Sequence, residues 1–183
     1  LVANTIAGEL KHGDVILVGE TEHHANIVPW QQLESRLGVT VVPVPADSTG
    51  MLDLKAAKAL CGKHPVAVIA IGHVSNAIGA LNDVEEFIAL AKENSAYSVI
   101  DGAQAAPHML VNVKNLQADF YAVSAHKCCG PTGIGVLFGR RELLERLPPW
   151  QGGGDMIDRV SFSGTTYNEL PWKFEAGTPN IAD

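Results

Sequence analysis

Residues 97–127, YSVIDGAQAAPHMLVNVKNLQADFYAVSAHK, contain two short apolar segments that each end in polar residues. The first, residues 98–100, ends at Asp101, and the second, residues 120–123, is followed by Ser124 and Lys127. Apolar segments of this length without alternation are typical of strands buried on both faces of a parallel sheet. Ligands bind beyond the carboxyl ends of such strands. The stretch therefore predicts an α/β fold with a ligand site at its strand ends.

The same succession of short apolar strands and longer helical patterns extends along the rest of the chain. It predicts a three-layer α/β/α fold with a mostly parallel sheet and right-handed crossovers. After Pro148 the periodicity is lost, and we expect extended loops and short strands there. The candidate strands are residues 15–18, 39–44, 66–71, 97–100, 120–123 and 135–138, and the candidate helices are residues 27–37, 54–61, 84–94 and 142–147.

Composition limits the classes of protein to which the chain can belong. Its 183 residues are 46% hydrophobic and 18% charged, which indicates one globular domain with a sizeable core. A net charge of −7 argues against a nucleic-acid binder, which needs a basic surface. No apolar run approaches the roughly 20 residues of a membrane span. The three cysteines are too few and badly spaced for a disulfide framework, so we expect a cytoplasmic protein.

Both ends of the sequence suggest that a longer protein surrounds it. Residues 1–10 predict a helix already in progress, because no capping residue precedes its apolar positions. The last residues, 175–183, stop just after a Gly-Thr-Pro turn. We therefore expect the chain to be a central part of a larger molecule.

Asp101 and Lys127 are the pair from which a chemical function can be argued. A carboxylate at a buried strand end needs a cation or a strong hydrogen-bond donor. A lysine amine in such a place can act as a nucleophile toward an aldehyde. Pyridoxal 5′-phosphate (PLP) meets both requirements with its pyridinium nitrogen and its aldehyde. From the residues alone, a structural ion pair between Asp101 and Lys127 is an equal alternative.

Seven ordered motifs add a resemblance that covers nearly all 183 residues. They resemble the Suf-type (group II) cysteine desulfurase and selenocysteine lyase family, which belongs to the class V aminotransferases of PLP fold type I. The resemblance implies that residues 1–183 are the central part of the large PLP-binding domain, without the N-terminal segment and the C-terminal small domain. The motifs are TEHHANIVPWQ, HVSNAIG, VIDGAQAAPH, DFYAVSAHK, GPTGIGVLFG, PPWQGGG and FEAGTPN.

The resemblance also implies roles for residues around the cofactor. Lys127 matches the lysine that carries PLP as a Schiff base, and Asp101 matches the partner of its pyridine nitrogen. His23 matches the residue that stacks on the cofactor ring and can shuttle a proton. Gln104 matches the hydrogen-bond donor to the phenolic oxygen, and Asn76 matches a residue near the cofactor and substrate.

Four further residues match phosphate contacts in the family. The resemblance places Ser124 and His126 on the phosphate within one subunit. It places Gly177 and Thr178 on a loop that reaches the phosphate from the other subunit of a homodimer. We expect no metal site, since no carboxylate or cysteine lies at ligand spacing with the His23–His24 pair.

The implied activity is that of an L-cysteine desulfurase, or also a selenocysteine lyase, acting on L-cysteine or L-selenocysteine. It yields L-alanine and an enzyme persulfide. A sulfur-acceptor protein takes the sulfur from the persulfide and supplies it for iron–sulfur cluster assembly. The residues 1–183 alone should be inactive, because the resemblance puts the persulfide cysteine and the substrate-binding arginine beyond Asp183. Alternatives are another class V PLP enzyme, such as a kynureninase-like hydrolase or an epimerase, and a non-catalytic remnant of the fold.

The chain departs from the family pattern around the lysine. Ala125 stands where the family usually has glycine, and a close backbone approach at that position would be disturbed by its methyl group. Cys128 and Cys129 replace a Leu-Tyr type of pair. We do not expect either thiol to carry sulfur, because the resemblance places that cysteine in a distant loop. Asn82 and Asp83, which precede a predicted helix, are expected only to cap it.

Overall fold

Six strands form one sheet, in which five run parallel and the sixth, at one edge, runs antiparallel to its neighbour. The structure is a computed structural model that describes residues 1–179 and 181. Asn180, the last residue of the FEAGTPN motif, lies outside the described residues. The strands are β1 (Val15–Gly19), β2 (Thr40–Val44), β3 (Val66–Gly72), β4 (Tyr97–Asp101), β5 (Phe120–Ser124) and β6 (Gly135–Gly139). Their order is β2-β1-β3-β4-β5-β6, which confirms the predicted mostly parallel sheet.

Five of the six helices connect consecutive strands, and local capping sets several of their starts. The Asp53 carboxylate accepts hydrogen bonds from the backbone N–H groups of Lys55 and Ala56 at the start of one helix. Gly38, in the left-handed conformation with φ of 70°, ends another. The helices are α1 (Val2–Ile6), α2 (Val28–Leu37), α3 (Leu54–Cys61), α4 (Val84–Glu93), α5 (Val113–Leu116) and α6 (Arg141–Arg146). Shorter 3₁₀ turns cover Ala7–Glu9, His24–Asn26, Ala125–Cys128 and Trp172–Phe174.

Apolar side chains of the sheet pack on both of its faces. Leu17 of β1 belongs to one buried cluster with Phe87 of α4, and its neighbour Ile16 belongs to a second cluster with Leu33 of α2. Burial of one such side chain stabilises a fold by about 1.5–3 kcal/mol. Helices therefore cover both faces, as the predicted three-layer architecture requires.

The described residues beyond Pro148 form mostly extended structure, as the loss of periodicity predicted. A separate antiparallel pair consists of β7 (Ile157–Ser161) and β8 (Gly164–Tyr167). The side chain of Phe162, in the turn between them, is fully exposed. Among the helices of the described residues, none has the length and apolar character that a membrane crossing requires.

Candidate active site

The carboxyl ends of four neighbouring strands, β1, β3, β4 and β5, meet at one end of the sheet. These strand ends and the segments that follow them carry His23, Asn76, Asp101 and Lys127, and all four residues line one cavity. An adjoining cavity of about 520 Å³ shares His23, Asp101 and Lys127 with the first. Gln104 lines the first cavity, and Ser124 and His126 line the second. The structure thus brings together seven of the nine residues expected from the sequence.

Asp101 is the last residue of β4 and lies between β3 and β5. Its backbone pairs with Gly72 on one side and with Ala122 on the other. Its Oδ1 accepts a hydrogen bond from the backbone N–H of Ala103, at 2.9 Å. Its Oδ2 receives no hydrogen bond from the described residues, so one oxygen can accept a donor from a ligand.

The support beneath Asp101 comes from a buried aromatic pair. The Tyr121 hydroxyl and His73 Nδ1 share a hydrogen bond of 2.9 Å. Burial, with a smaller contribution from the charge of Asp101, raises the pKa of Tyr121 to about 12. Burial also lowers the pKa of His73. The pair is therefore neutral at neutral pH and adds no charge below the site.

Lys127 lies in the 3₁₀ turn Ala125–Cys128, which follows β5 directly. Two backbone hydrogen bonds hold the turn, from Ala125 N–H to Ile134 O and from Gly130 N–H to Ala125 O. The Lys127 amine forms no ion pair or hydrogen bond with any described residue. The Asp101–Lys127 ion pair, the structural alternative from the sequence, is therefore absent among these residues, and the amine is available for chemistry.

Ala125 fits its position in spite of the extra methyl group. A Cβ atom on Gly130 would lie 3.1 Å from the Cβ of Ala125, so the glycine leaves the space that the methyl group occupies. Cys128 and Cys129 follow Lys127 as exposed free thiols.

His23 lies at the end of the segment that follows β1. Its Nδ1 accepts a hydrogen bond from the backbone N–H of Ala25, at 3.2 Å. In the neutral ring the proton must then be on Nε2, because one ring nitrogen is a donor when the other is an acceptor. His23 can consequently offer a proton from Nε2 to the cavity.

Gly177 and Thr178 are the two predicted residues that do not line these two cavities in the same chain. The Gly177 N–H donates to Gly154 O at 3.1 Å, and Gly177 has a φ of 92°. A Cβ atom on Gly153 would lie 3.1 Å from the Gly177 nitrogen, so the two loops touch closely. Thr178 is exposed in the single chain.

Two residues at the site were not predicted from the sequence to belong to it. The Glu22 carboxylate accepts hydrogen bonds from the Gly72 N–H at 2.6 Å and from Asn26 Nδ2 at 2.8 Å. Burial raises the pKa of Glu22 to about 7, and the charge of Asp101 adds to the increase, whereas the two hydrogen bonds oppose it. The motif containing Glu22 was recognised, but no local pattern indicated that its side chain turns inward.

Asn82 is the second missed residue. The sequence suggested a helix cap for Asn82 and Asp83, and Asp83 does cap α4. Asn82 is instead buried, with Nδ2 donating to Gly72 O at 2.8 Å and Oδ1 accepting from Leu52 N–H at 3.0 Å. It therefore binds the carbonyl group of Gly72, the residue whose N–H group donates to Glu22.

Known proteins resemble the chain throughout its length. A probable cysteine desulfurase of Vibrio cholerae is 49% identical over 183 residues, which are 100% of this chain and 45% of that protein. A cysteine desulfurase of Escherichia coli O9:H4 is 47% identical over 98% of this chain and 45% of its own length. The chain thus spans about half the length of the curated relatives it matches.

Solved structures give the same result for the fold. A cysteine desulfurase of Escherichia coli superposes with a TM-score of 0.90 and 42% identity, over 97% of this chain and 46% of that chain. The apo structure of a cysteine desulfurase from Thermococcus onnurineus gives a TM-score of 0.91 and 44% identity, over 98% and 45%. The family described as aminotransferase class V matches residues 1–183. The chain therefore belongs to the class V aminotransferase family, with the fold of PLP fold type I enzymes.

Proposed function

We propose that the chain is the cofactor-binding part of a longer PLP-dependent L-cysteine desulfurase. The observation that carries the proposal is the placement of Asp101 and Lys127 at the ends of adjacent strands, where both line the same two cavities. One oxygen of the carboxylate and the whole amine lack partners among the described residues. The names of the relatives that align with the entire chain support the choice of reaction.

The residues present fit PLP in their donor chemistry and in the space they enclose. The larger cavity, of about 520 Å³, lies within the range of small-ligand pockets, about 300–1,000 Å³. Asp101 Oδ2 can accept the proton of the pyridine nitrogen, and Lys127 can bond to the aldehyde. Ser124 and His126, which have no side-chain hydrogen bonds with described residues, can bind the phosphate. Gln104 and Asn76 offer amide donors from the first cavity.

When bound, PLP supplies an electron sink for the carbon next to the substrate amine. The chain supplies the groups that bind and move protons around it. Lys127 and His23 line both cavities and are the groups that can take up or return a proton at the substrate Cα. Asp101 is the carboxylate that keeps the cofactor ring protonated.

In the proposed reaction the C–S bond of L-cysteine breaks and the sulfur moves to an enzyme thiol. L-Cysteine and the thiol are converted into L-alanine and an enzyme persulfide, so atoms and electrons balance without another oxidant. We assign the thiol to the part of the protein outside this chain, and not to Cys128 or Cys129, which directly follow Lys127 at the strand end. A sulfur-acceptor protein then receives the sulfur for iron–sulfur cluster assembly. L-Selenocysteine is a second substrate with the same geometry of attack.

We further propose a cytoplasmic homodimer in which the partner subunit's Thr178 loop completes the phosphate site. The exposure of Thr178 and its absence from the two cavities of its own chain support a contact across an interface. Isologous contact would give two identical shared sites. The three free thiols, Cys61, Cys128 and Cys129, support a reducing compartment.

The test is an assay of the full-length protein, loaded with PLP, for alanine and sulfide from L-cysteine in the presence of a thiol. We expect equal amounts of alanine and sulfide, and no product from the Lys127→Ala variant. Turnover of kynurenine, or epimerisation of an amino acid without release of sulfide, would assign the site to another class V reaction. PLP binding without turnover of any of these substrates would support a non-catalytic role.

A further inference from the structure

The Glu22 carboxyl group occupies a space that two glycines leave open. A Cβ atom on Gly19, at the end of β1, would lie 2.4 Å from Glu22 Oε1. A Cβ atom on Gly72, at the end of β3, would lie 3.2 Å from Oε2. Any other residue at Gly19 would thus displace the carboxyl group, and one at Gly72 would crowd it. Two neighbouring strands therefore end in residues that make room for the same side chain.

The hydrogen bonds around Glu22 have only one consistent orientation. The Trp30 indole Nε1–H donates to Asn26 Oδ1 at 3.1 Å, and an indole nitrogen can only donate. The buried amide of Asn26 must then present its Nδ2 to Glu22 Oε2. Since Gly72 N–H donates to Oε1, both oxygens of Glu22 act as acceptors.

This network holds the segment that carries His23 at both of its ends. Glu22 precedes His23, and Asn26 closes the 3₁₀ turn His24–Asn26 that His23 caps. The Asn26 N–H also donates to the His23 carbonyl oxygen, at 2.8 Å. The Glu22 carboxylate thus joins the first and last residues of the segment to the end of β3.

A carboxylate in this place has an electrostatic cost, which a neutral side chain making the same loop contact would avoid. Glu22 lines the first cavity together with Asp101, which faces it from β4, and with His23 and Lys127. None of the described residues forms a salt bridge with Glu22. A half-buried carboxylate near a second carboxylate, without a cationic partner, costs folding free energy.

We propose that Glu22 is a positioning residue, which holds His23 in the orientation that faces the cofactor cavity. This inference rests on the proposed function for the role of His23. Glu22 acts on His23 through its hydrogen bonds to Asn26 Nδ2 and to the Gly72 N–H.

The first variant is Glu22→Gln in the full-length protein. Its new amide can still accept from Gly72, but its N–H₂ group then faces Asn26 Nδ2, and two donors oppose each other. We expect about tenfold weaker PLP affinity and about tenfold faster hydrogen exchange at the Gly72 amide, the cost of one unsatisfied buried group. We also expect the ring ¹H–¹⁵N signals of His23 to shift.

The decisive variant is the double substitution Glu22→Gln/Asn26→Asp. The new carboxylate at position 26 can accept from both Trp30 Nε1 and the new amide at position 22. All hydrogen bonds are then satisfied, with the charge moved to another residue. We expect the His23 signals to return to their wild-type positions, and the Gly72 exchange rate and the PLP affinity to return to within about threefold of wild type. The second substitution should compensate for the first, because the effects of substitutions in contacting residues are not additive.

Glu20→Gln is the matched control. Glu20 lies in the same segment, is exposed, and accepts the backbone N–H of Ala46 at 2.9 Å. The same substitution there should leave the His23 signals and PLP affinity unchanged. If the Glu22→Gln variant does not fold, the double variant alone tests the proposal. A folded double variant with wild-type His23 signals supports the proposal, and an unfolded double variant contradicts it.

Two results would overturn the proposal. One is a Glu22→Gln variant with wild-type His23 signals and Gly72 exchange. The other is a double variant in which these two readouts recover while PLP affinity does not, since the charge at position 22 would then matter more than the position of His23. Both readouts are measured without cofactor, so failure of the wild-type protein to bind PLP refutes the proposed function separately.

Discussion

The ring of Tyr121 occupies the space that a side chain on Gly102 would need, since a Cβ atom there would lie 1.9 Å from Tyr121 Cε1. Gly102 directly follows Asp101, and the Gly102 N–H donates to Ala122 O at 2.8 Å. The ring cannot move away easily, because its hydroxyl is bonded to His73 and its side chain is buried in the core. The position of Asp101 therefore depends on a glycine at the next residue.

Gly102→Ala should destabilise the protein by about 1–3 kcal/mol, the usual cost of adding a methyl group to a packed core. It should also weaken PLP binding, because Asp101 moves with the backbone. Urea unfolding measures the first effect and the visible absorbance of PLP the second. Gly8→Ala is the control, since nothing lies within 4 Å of a Cβ atom there. Equal stability of the two variants would contradict the role assigned to Tyr121.

Lys127 should be the residue that PLP modifies. Its amine has no partner among the described residues and lines both cavities, whereas Lys92 and Lys114 line neither. Reduction of the PLP-loaded protein with borohydride, followed by peptide mapping, should place the pyridoxyl group on Lys127. A label on Lys92 or Lys114 that persists in the Lys127→Ala variant would refute the assignment.

Asp101→Asn should retain most of the bound PLP and lose most of the turnover. An amide cannot hold the pyridine nitrogen protonated, and a hydrogen bond to a charged group contributes about 1.5–3 kcal/mol, or roughly 10- to 100-fold in rate. Steady-state alanine formation measures the loss. Asp53→Asn is the control, because asparagine caps a helix as well as aspartate. Near-normal turnover of Asp101→Asn would make Asp101 a structural residue that only binds Ala103.

The Thr178 loop should work in the opposite subunit. Mixed dimers of Lys127→Ala and Thr178→Ala subunits would contain one doubly changed site and one intact site, so activity should return on subunit exchange. If Thr178 serves its own subunit, every site in the mixture carries one change and activity stays low. Native mass spectrometry verifies the exchange, and both parent variants must first be shown to be impaired.

Glu22 should make the protein lose stability as the pH rises toward neutrality. Its pKa in the fold is about 7, against 4.5 in an unfolded chain, so between these values the folded state holds a proton that the unfolded state has released. The contribution is complete below pH 4.5 and is lost as the pH passes 7, on the order of 3 kcal/mol at most. The difference in unfolding free energy between wild type and Glu22→Gln, measured from pH 5 to pH 8, should fall with pH. A constant difference would contradict the shift.

Local patterns were sufficient for the strands and for the residues directly after them. The runs that end near Val18, Ile71 and Ile100 are almost wholly apolar, and such short runs are typical of strands buried on both faces. Because parallel strands end on the same side, the convergence of Asp101 and Lys127 followed from their places in the sequence. The motifs supplied the rest of the expected site.

Contacts between distant residues were beyond the reach of such patterns. Asn82 looks like a helix cap because it precedes α4, yet its partners are Leu52 and the carbonyl of Gly72. Gly19 and Gly72 resemble ordinary strand ends in the sequence. Only the structure shows that the Glu22 carboxyl group occupies the space that side chains at these two positions would need. The antiparallel direction of β6 was not predicted. Only a short connection separates β5 from β6, and its length was not used to infer the direction of the second strand.

The strand order also governs when the cavity can exist during synthesis. Since β1 pairs with β3 while β4 and β5 complete the row, the predicted site residues that line the two cavities are spread along the chain from His23 to Lys127. The ribosome must synthesise all residues through Lys127 before the chain can bind the PLP aldehyde. Shorter nascent chains would expose unpaired strand edges, which are prone to aggregate. The supply of cofactor can therefore influence the chain only after β1 to β5 have been synthesised.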